Sequence, residues 1–461
     1  MDYESRKIKW YWLLLFLLYC GTVAYMLFQN NPYLYARQEL RASLDVGETA
    51  RIQPIPLHPA DVKATASTFF SRYNFERTGV DPATGPRSKN YEEFEKVTVD
   101  LSEMGFDNPH VSADGTGFYL SGKNEWVVAL ALDGKVRWKY KFRELPEGES
   151  LAPVLLDETT AYLVHPLGEV VALNKATGEI RWVESVKQEL AALPFLYKGR
   201  LILPCKATTG TAIQMVSIDR ANGKLAEDSP RVDLKPGFEL ADAPELGEFI
   251  ATYDNKVVAL NPDTWEQKWS LTVTDPIKGS AVVVGPQVYV ATLAAKVDKI
   301  DGSKQGKLDW EADTEKPPAS APTFLPVVNR ITVLDTSGHL SQIDAKSGKV
   351  YWRIPTENRN PLNETWSARL KGAHIEEFHM DWLQKGWTSW SPCFDNSFCI
   401  FTPKGLLVTR VHMSGRPMAL PLTYDRRWVF LSQQKPGHFT ISQIVEEAEI
   451  KRLRAEKTKE K

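Results

Sequence analysis

Cysteine is scarce in this chain. Its four residues, Cys20, Cys205, Cys393 and Cys399, are spread over 461 positions with no adjacent pair, too few for a disulfide scaffold. Charge of one sign is lacking as well: the net value is −2, so the composition implies no nucleic-acid partner. No phosphate-binding loop, nucleophile elbow or catalytic-triad spacing is present. The histidines of the stretch 374–381 stand five residues apart, not the four that set two imidazoles on one helical face of a zinc protease, and no glutamate directly follows His374. What remains is a globular chain with enough apolar residues for a large core.

Repetition is what the chain has in abundance. The phrase Val170-Val171-Ala172-Leu173-Asn174-Lys175-Ala176-Thr177-Gly178-Glu179-Ile180-Arg181-Trp182 reads as a β-hairpin. Asn174 can bond backbone two residues on, and Gly178 supplies the positive φ that turns the chain back. Variants run from Val127 to Trp138, Val257 to Trp269, Val297 to Trp310 and Leu340 to Trp352, and a sixth copy around Met215–Asp219 has Glu227 where tryptophan is expected. Glycine lies four residues before the tryptophan at Gly134, Gly178, Gly306 and Gly348. The copies recur at roughly 40–45 residues, a period that holds four short strands and marks propeller blades.

This phrase resembles the tryptophan-docking repeat of the quinoprotein (PQQ-like) β-propeller superfamily over about residues 97–444. The superfamily includes PQQ-dependent alcohol dehydrogenases and the BamB-type propeller of the outer-membrane barrel assembly machinery. The resemblance implies an all-β, eight-bladed propeller, with seven blades as the alternative, in which Trp138, Trp182, Trp269, Trp310 and Trp352 pack between blades. It also implies what an enzyme of this kind would need: a disulfide between adjacent cysteines, carboxylates for Ca²⁺ and a tryptophan floor for the quinone. That kit is not recognisable here, so no cofactor, metal site or catalytic residue is expected.

Residues 10–28 form an uncharged stretch long enough to cross a bilayer as a helix. Arg6, Lys7 and Lys9 precede it and the next basic residue is Arg37, so the positive-inside rule keeps 1–9 cytoplasmic and exports the rest. A lipoprotein signal ending at Cys20 and a cleaved secretory signal are the alternatives, each a poorer match, because Tyr19 stands where a small residue is wanted. Residues 29–90 then read as a periplasmic tether, 91–445 as the propeller and 446–461 as a charged tail. The alternating stretch 95–101 precedes the first repeat and is expected to close the ring by completing the last blade.

Two strand sets are expected after Trp352, at 389–413 and 422–444, with 355–388 as the longest connection. Trp366, His374, Phe378, Trp382 and Trp387 give that connection the aromatic weight of interface anchors. Near it, reading 395–397 as a three-residue hairpin loop sets Cys393 opposite Cys399 in disulfide geometry. These features predict a single-pass inner-membrane protein whose periplasmic propeller is a non-catalytic scaffold for envelope or membrane proteins. A PQQ-dependent dehydrogenase and a sensor of a small periplasmic ligand are the competing classes.

Overall fold

The computed structural model describes residues 80–84, 91–355, 379–446 and 450, apart from 209, 326–328, 338, 384–385, 394–396, 402–406, 413–414, 419–421 and 425–426. Strands make up nearly all of its regular structure. Two single-turn 3-10 helices, Ser102–Met104 and Gly302–Lys304, interrupt them. Among the described residues the strands assort into eight sheets, six of four strands and two of five. Sheets 1 to 6 are consecutive antiparallel sets spanning 110–141, 155–185, 195–232, 239–272, 282–313 and 323–355.

Sheets 7 (379–412) and 8 (416–446) borrow strands from the other end of the chain. Val80–Thr84 pairs parallel with His379–Leu383. Tyr91–Asp100 pairs antiparallel with His438–Glu446, so the stretch expected to close the ring does complete the last sheet. It begins at Tyr91, earlier than its alternation suggests.

The strand residues that open the phrase, Val127 to Leu130 in sheet 1 and Val170 to Leu173 in sheet 2, are all apolar because sheets cover both of their faces. Val127 and Ala129 pack with Leu163 and Val171 of sheet 2. Val128 and Leu130 point the other way, against Leu431 and Ile441 of sheet 8. Successive strand residues face opposite sides, so a strand sandwiched between two sheets reads as a near-continuous apolar run, broken in sheet 5 by the buried Asp298 and in sheet 6 by the buried Ser341 and Gln342. The same sharing joins sheets 2 and 3, 3 and 4, 4 and 5, and 5 and 6. Sheets stacked in series, with the last returning against the first, define a propeller. The first strands of sheets 4, 5 and 6 (Glu239–Ala243, Val282–Val284 and Thr323–Leu325) are neighbours, which places the axis beside them. Val80–Thr84 lies against Thr323–Leu325 and Leu422–Tyr424, on that axial side.

Two expectations for the C-terminal third are corrected. Residues 355–388 are not one connection, because His379–Leu383 and Gly386–Cys393 pair as a hairpin and the seventh set starts at His379. The following pair of strands is one residue out of the expected register: Cys393 pairs with Ser397 and Ser391 with Cys399. Either register leaves Asp395-Asn396 between the paired stretches, so sequence could not choose between them. The expected anchor 10–28, nearly all of the tether and nearly all of the tail lie outside the described residues. No helix among the described residues is long and apolar enough to cross a membrane.

Candidate functional site

Neighbouring sheets meet through a socket that the repeat phrase builds. The Asn174 side chain accepts from the N–H groups of Ala176 at 2.9 Å and Thr177 at 3.2 Å. The turn ends at Gly178 with φ +77°, where a Cβ would stand 2.6 Å from Cβ of Trp138. Glycine is therefore required twice, for its dihedral and for the approach of the indole. The Trp138 N–H donates to the Lys175 carbonyl at 2.9 Å, which satisfies the one polar atom of a buried ring. Trp182 sits in the same way on Gly223 and donates to the Arg220 carbonyl at 3.0 Å. Trp269 sits on Gly306 and Trp310 on Gly348.

Two details of this socket escaped the sequence reading. A bulge precedes each of the five tryptophans: Leu173 pairs with Ile180 but Ala172 with Trp182, leaving Arg181 as the extra residue. The same shift occurs before Trp138, Trp269, Trp310 and Trp352. Tyr119, Tyr162 and Tyr289 supply a second ring, with centroids 5.9, 5.9 and 6.0 Å from Trp138, Trp182 and Trp310. A tyrosine two strands before the tryptophan is the signal that would have found them.

Two sockets depart from the pattern. Between sheets 8 and 1, Val97 and Val99 of the closing strand face Gly134. Between sheets 3 and 4 the exchange is larger. Glu227 replaces the tryptophan of sheet 3, and Trp265 occupies the glycine position of sheet 4, four residues before Trp269. Trp265 keeps the glycine's left-handed backbone, φ +64°, which for a bulky residue costs roughly 1–3 kcal/mol. Its ring is buried against Phe249, 5.3 Å away, and Phe195, 6.1 Å away, while Tyr197 meets Phe249 edge-on at 4.7 Å. The aromatic has changed sides of the interface, filling its inner part from sheet 4.

The outer part is a groove of about 1140 Å³, floored by Ile202, Met215 and Trp265 and edged by Leu225, which is 41% exposed. Along it the outer strand of sheet 3 is interrupted. Ile213 and Gln214 pair with Val232 and Arg231, and Ile218 makes an isolated bridge with Leu225. Between them the Met215 N–H donates to the Pro230 carbonyl at 2.9 Å and the Ala226 N–H to the Ser217 carbonyl at 2.8 Å. Ser217, which holds the place of Ala172, has no outer strand partner among the described residues.

Charge rings this groove. Lys198 and Asp263 bridge sheets 3 and 4 at 3.0 Å, an exposed pair worth little in stability. The bond to Asp263, then that to Tyr197, raises the Lys198 ammonium above its ordinary value, and burial raises the Tyr197 phenol. Arg200 reaches the Ser217 hydroxyl at 3.4 Å. Glu227 and Asp228 form an acidic lip.

Of the aromatic residues named from sequence as partner anchors, Trp382 and Trp387 pair directly across the new hairpin of sheet 7. Trp366, His374 and Phe378 lie outside the described residues. Among the described residues no group of three or more His, Cys, Asp or Glu could hold a metal ion.

The stacked sheets and their tryptophan sockets define the class, a propeller of the PQQ-like superfamily. Within it, the chain belongs to the family of the outer membrane protein assembly factor BamB, whose family model matches residues 78–235 and 245–373. Among solved structures it is similar to BamB from Moraxella catarrhalis, at 15% identity and a TM-score of 0.50, covering 76% of this chain and 97% of that one. A europium-containing methanol dehydrogenase is similar at 10% identity and a TM-score of 0.59, over 84% and 99% of the two chains. The quinohemoprotein alcohol dehydrogenase of Comamonas testosteroni follows at 13% and 0.58, over 89% and 84%. At these identities the likenesses show the fold alone. No curated protein matches the chain.

Proposed function

We propose that this chain is an eight-bladed propeller, held at the inner membrane by residues 10–28, that serves in the periplasm as a non-catalytic scaffold for a cell-envelope complex. Outer-membrane protein assembly is the process to test first. The family match over most of the chain carries this reading. Two features support it: eight sheets closed by an N-terminal strand, and a strand of the chain's own, Val80–Thr84, on the axial side where a small ligand would otherwise find room.

The dehydrogenase reading draws on the structural neighbours. PQQ with Ca²⁺ asks for adjacent cysteines and a convergent set of carboxylates. The sequence has no adjacent cysteines, which favours the scaffold reading. Purified protein mixed with PQQ and Ca²⁺ should show no protein-bound quinone absorbance in the near ultraviolet. For the scaffold, residues 356–378 and the adjoining Trp382–Trp387 pair are the first face to test. Deleting 360–375 should abolish co-purification of an envelope partner while leaving the β-sheet circular dichroism and melting temperature nearly unchanged. Retained partner with an intact ring sends the contact to another face.

A further inference from the structure

We propose that the groove between sheets 3 and 4 takes an extended segment of a partner protein, which adds as a short strand beside residues 215–217 and seats an aromatic side chain next to Trp265. This deepens the scaffold reading and rests on it. The backbone supplies the first argument. A strand residue points its N–H and C=O to the same side. The Met215 N–H and the Ser217 carbonyl both bond outward, to Pro230 and Ala226, so the Met215 carbonyl and the Ser217 N–H point outward too. Pro230 has no N–H with which to return the Met215 bond. An acceptor on one residue and a donor two residues on are what a single residue of a parallel strand satisfies, its N–H on Met215 and its C=O on Ser217.

The side chains supply the second. Met215 packs toward sheet 4 in the cluster that contains Trp265, whereas Val216 packs toward sheet 2. The neighbours of the paired residue therefore turn toward Trp265. In five other sheets the outer strand presents an indole at the corresponding place; here Glu227 does not, which leaves the outer part of the interface open for an incoming aromatic to lie beside Trp265. Charge supplies the third. The lining sets Lys198, Arg200 and Lys224 against Asp219, Glu227, Asp228 and Asp263, with Lys198 paired to Asp263; the remaining charge is mixed, and the adjacent pair Glu227 and Asp228 is the part of the rim that favours a lysine or arginine beside the aromatic.

The test uses the full-length chain in detergent and a fluorescein-labelled synthetic peptide, Lys-Thr-Thr-Trp-Thr-Thr-Lys, read by fluorescence anisotropy. Saturable binding is expected, weakened about tenfold or more when the peptide's tryptophan becomes alanine or when its two flanking threonines are N-methylated. Glu227→Trp, which fills the socket from within, should weaken binding to the same degree with the melting temperature retained. If that variant melts early, Leu225→Asp on the exposed edge replaces it with the same expectation. Absence of saturable binding up to about 1 mM, or binding indifferent to the groove variants or to the peptide changes, overturns the proposal. No cellular partner enters this assay, so its failure removes the groove and leaves the scaffold to its own co-purification test.

Discussion

At the scale of single residues, the tryptophans and their glycines carry most of the interface energy that one side chain can carry. Trp182 and Trp310 are held between sheets by a glycine on one side and a tyrosine on the other. Replacing either with alanine should lower the unfolding free energy by about 3–5 kcal/mol, as large-to-small core changes do. Glu227→Ala should change it by no more than about 0.5 kcal/mol, since Glu227 is exposed on the rim of the groove and packs into no interface. Denaturant melts of the three variants check this, and equal losses at all three would contradict the packing role. Asp298 is a different case. It is 2% exposed and pairs across the sheet with Glu311. Burial, then the Glu311 charge, push its carboxyl up to about 6, with Lys296 offsetting part. Between about pH 4 and 6 the folded chain holds a proton that the unfolded chain has lost, so stability falls as pH rises through that window. Asp298→Asn should remove this fall, gaining about 2–3 kcal/mol at pH 7 and little at pH 4. Melts at the two pH values that differ equally from wild type would contradict it.

At the scale of elements, what could be read from sequence was whatever had turn chemistry in a fixed frame. Hairpins with Asn or Asp, then glycine, then tryptophan announce themselves because each residue is forced by a dihedral or a contact. The closing strand was legible from alternation, since its outer position leaves Lys96, Thr98 and Asp100 exposed while Val99 is buried. Sheet 7 was harder. Its outer hairpin has the same bulge as the others, Phe401 pairing with Leu407 but Ile400 with Thr409, and Gly405 stands four residues before Thr409. Threonine in place of tryptophan, together with the residues inserted at 356–378, moved this copy out of the period. Trp265 was hidden for the opposite reason: a tryptophan at a glycine position obeys no propensity and is understood only beside Glu227. The same limit applies to the cysteines. Direct opposition of Cys393 and Cys399 would suit a disulfide, but the observed register sets each of them opposite a serine, Ser397 and Ser391. Mass spectrometry of non-reduced peptides should therefore recover both as free thiols. A linked peptide would show that the hairpin shifts to the register expected from sequence.

At the scale of the whole molecule, closure and topology are linked. The strand that completes sheet 8 and the strand on the axial side of sheet 7 both come from residues 80–100, so the ring is tied shut by the segment that follows the proposed anchor. Cysteines introduced just beyond residue 29 should be labelled from outside the inner membrane in intact cells; recovery of a lipid-bearing chain that begins at Cys20 would contradict the anchor. The central claim, that this propeller works by holding other proteins, is tested most directly by crosslinked affinity purification from native membranes. The expected result is specific recovery of envelope proteins, lost when the partner face is deleted while the ring still folds. Recovery of the chain alone under crosslinking, with bound quinone in its absorbance spectrum, would contradict it.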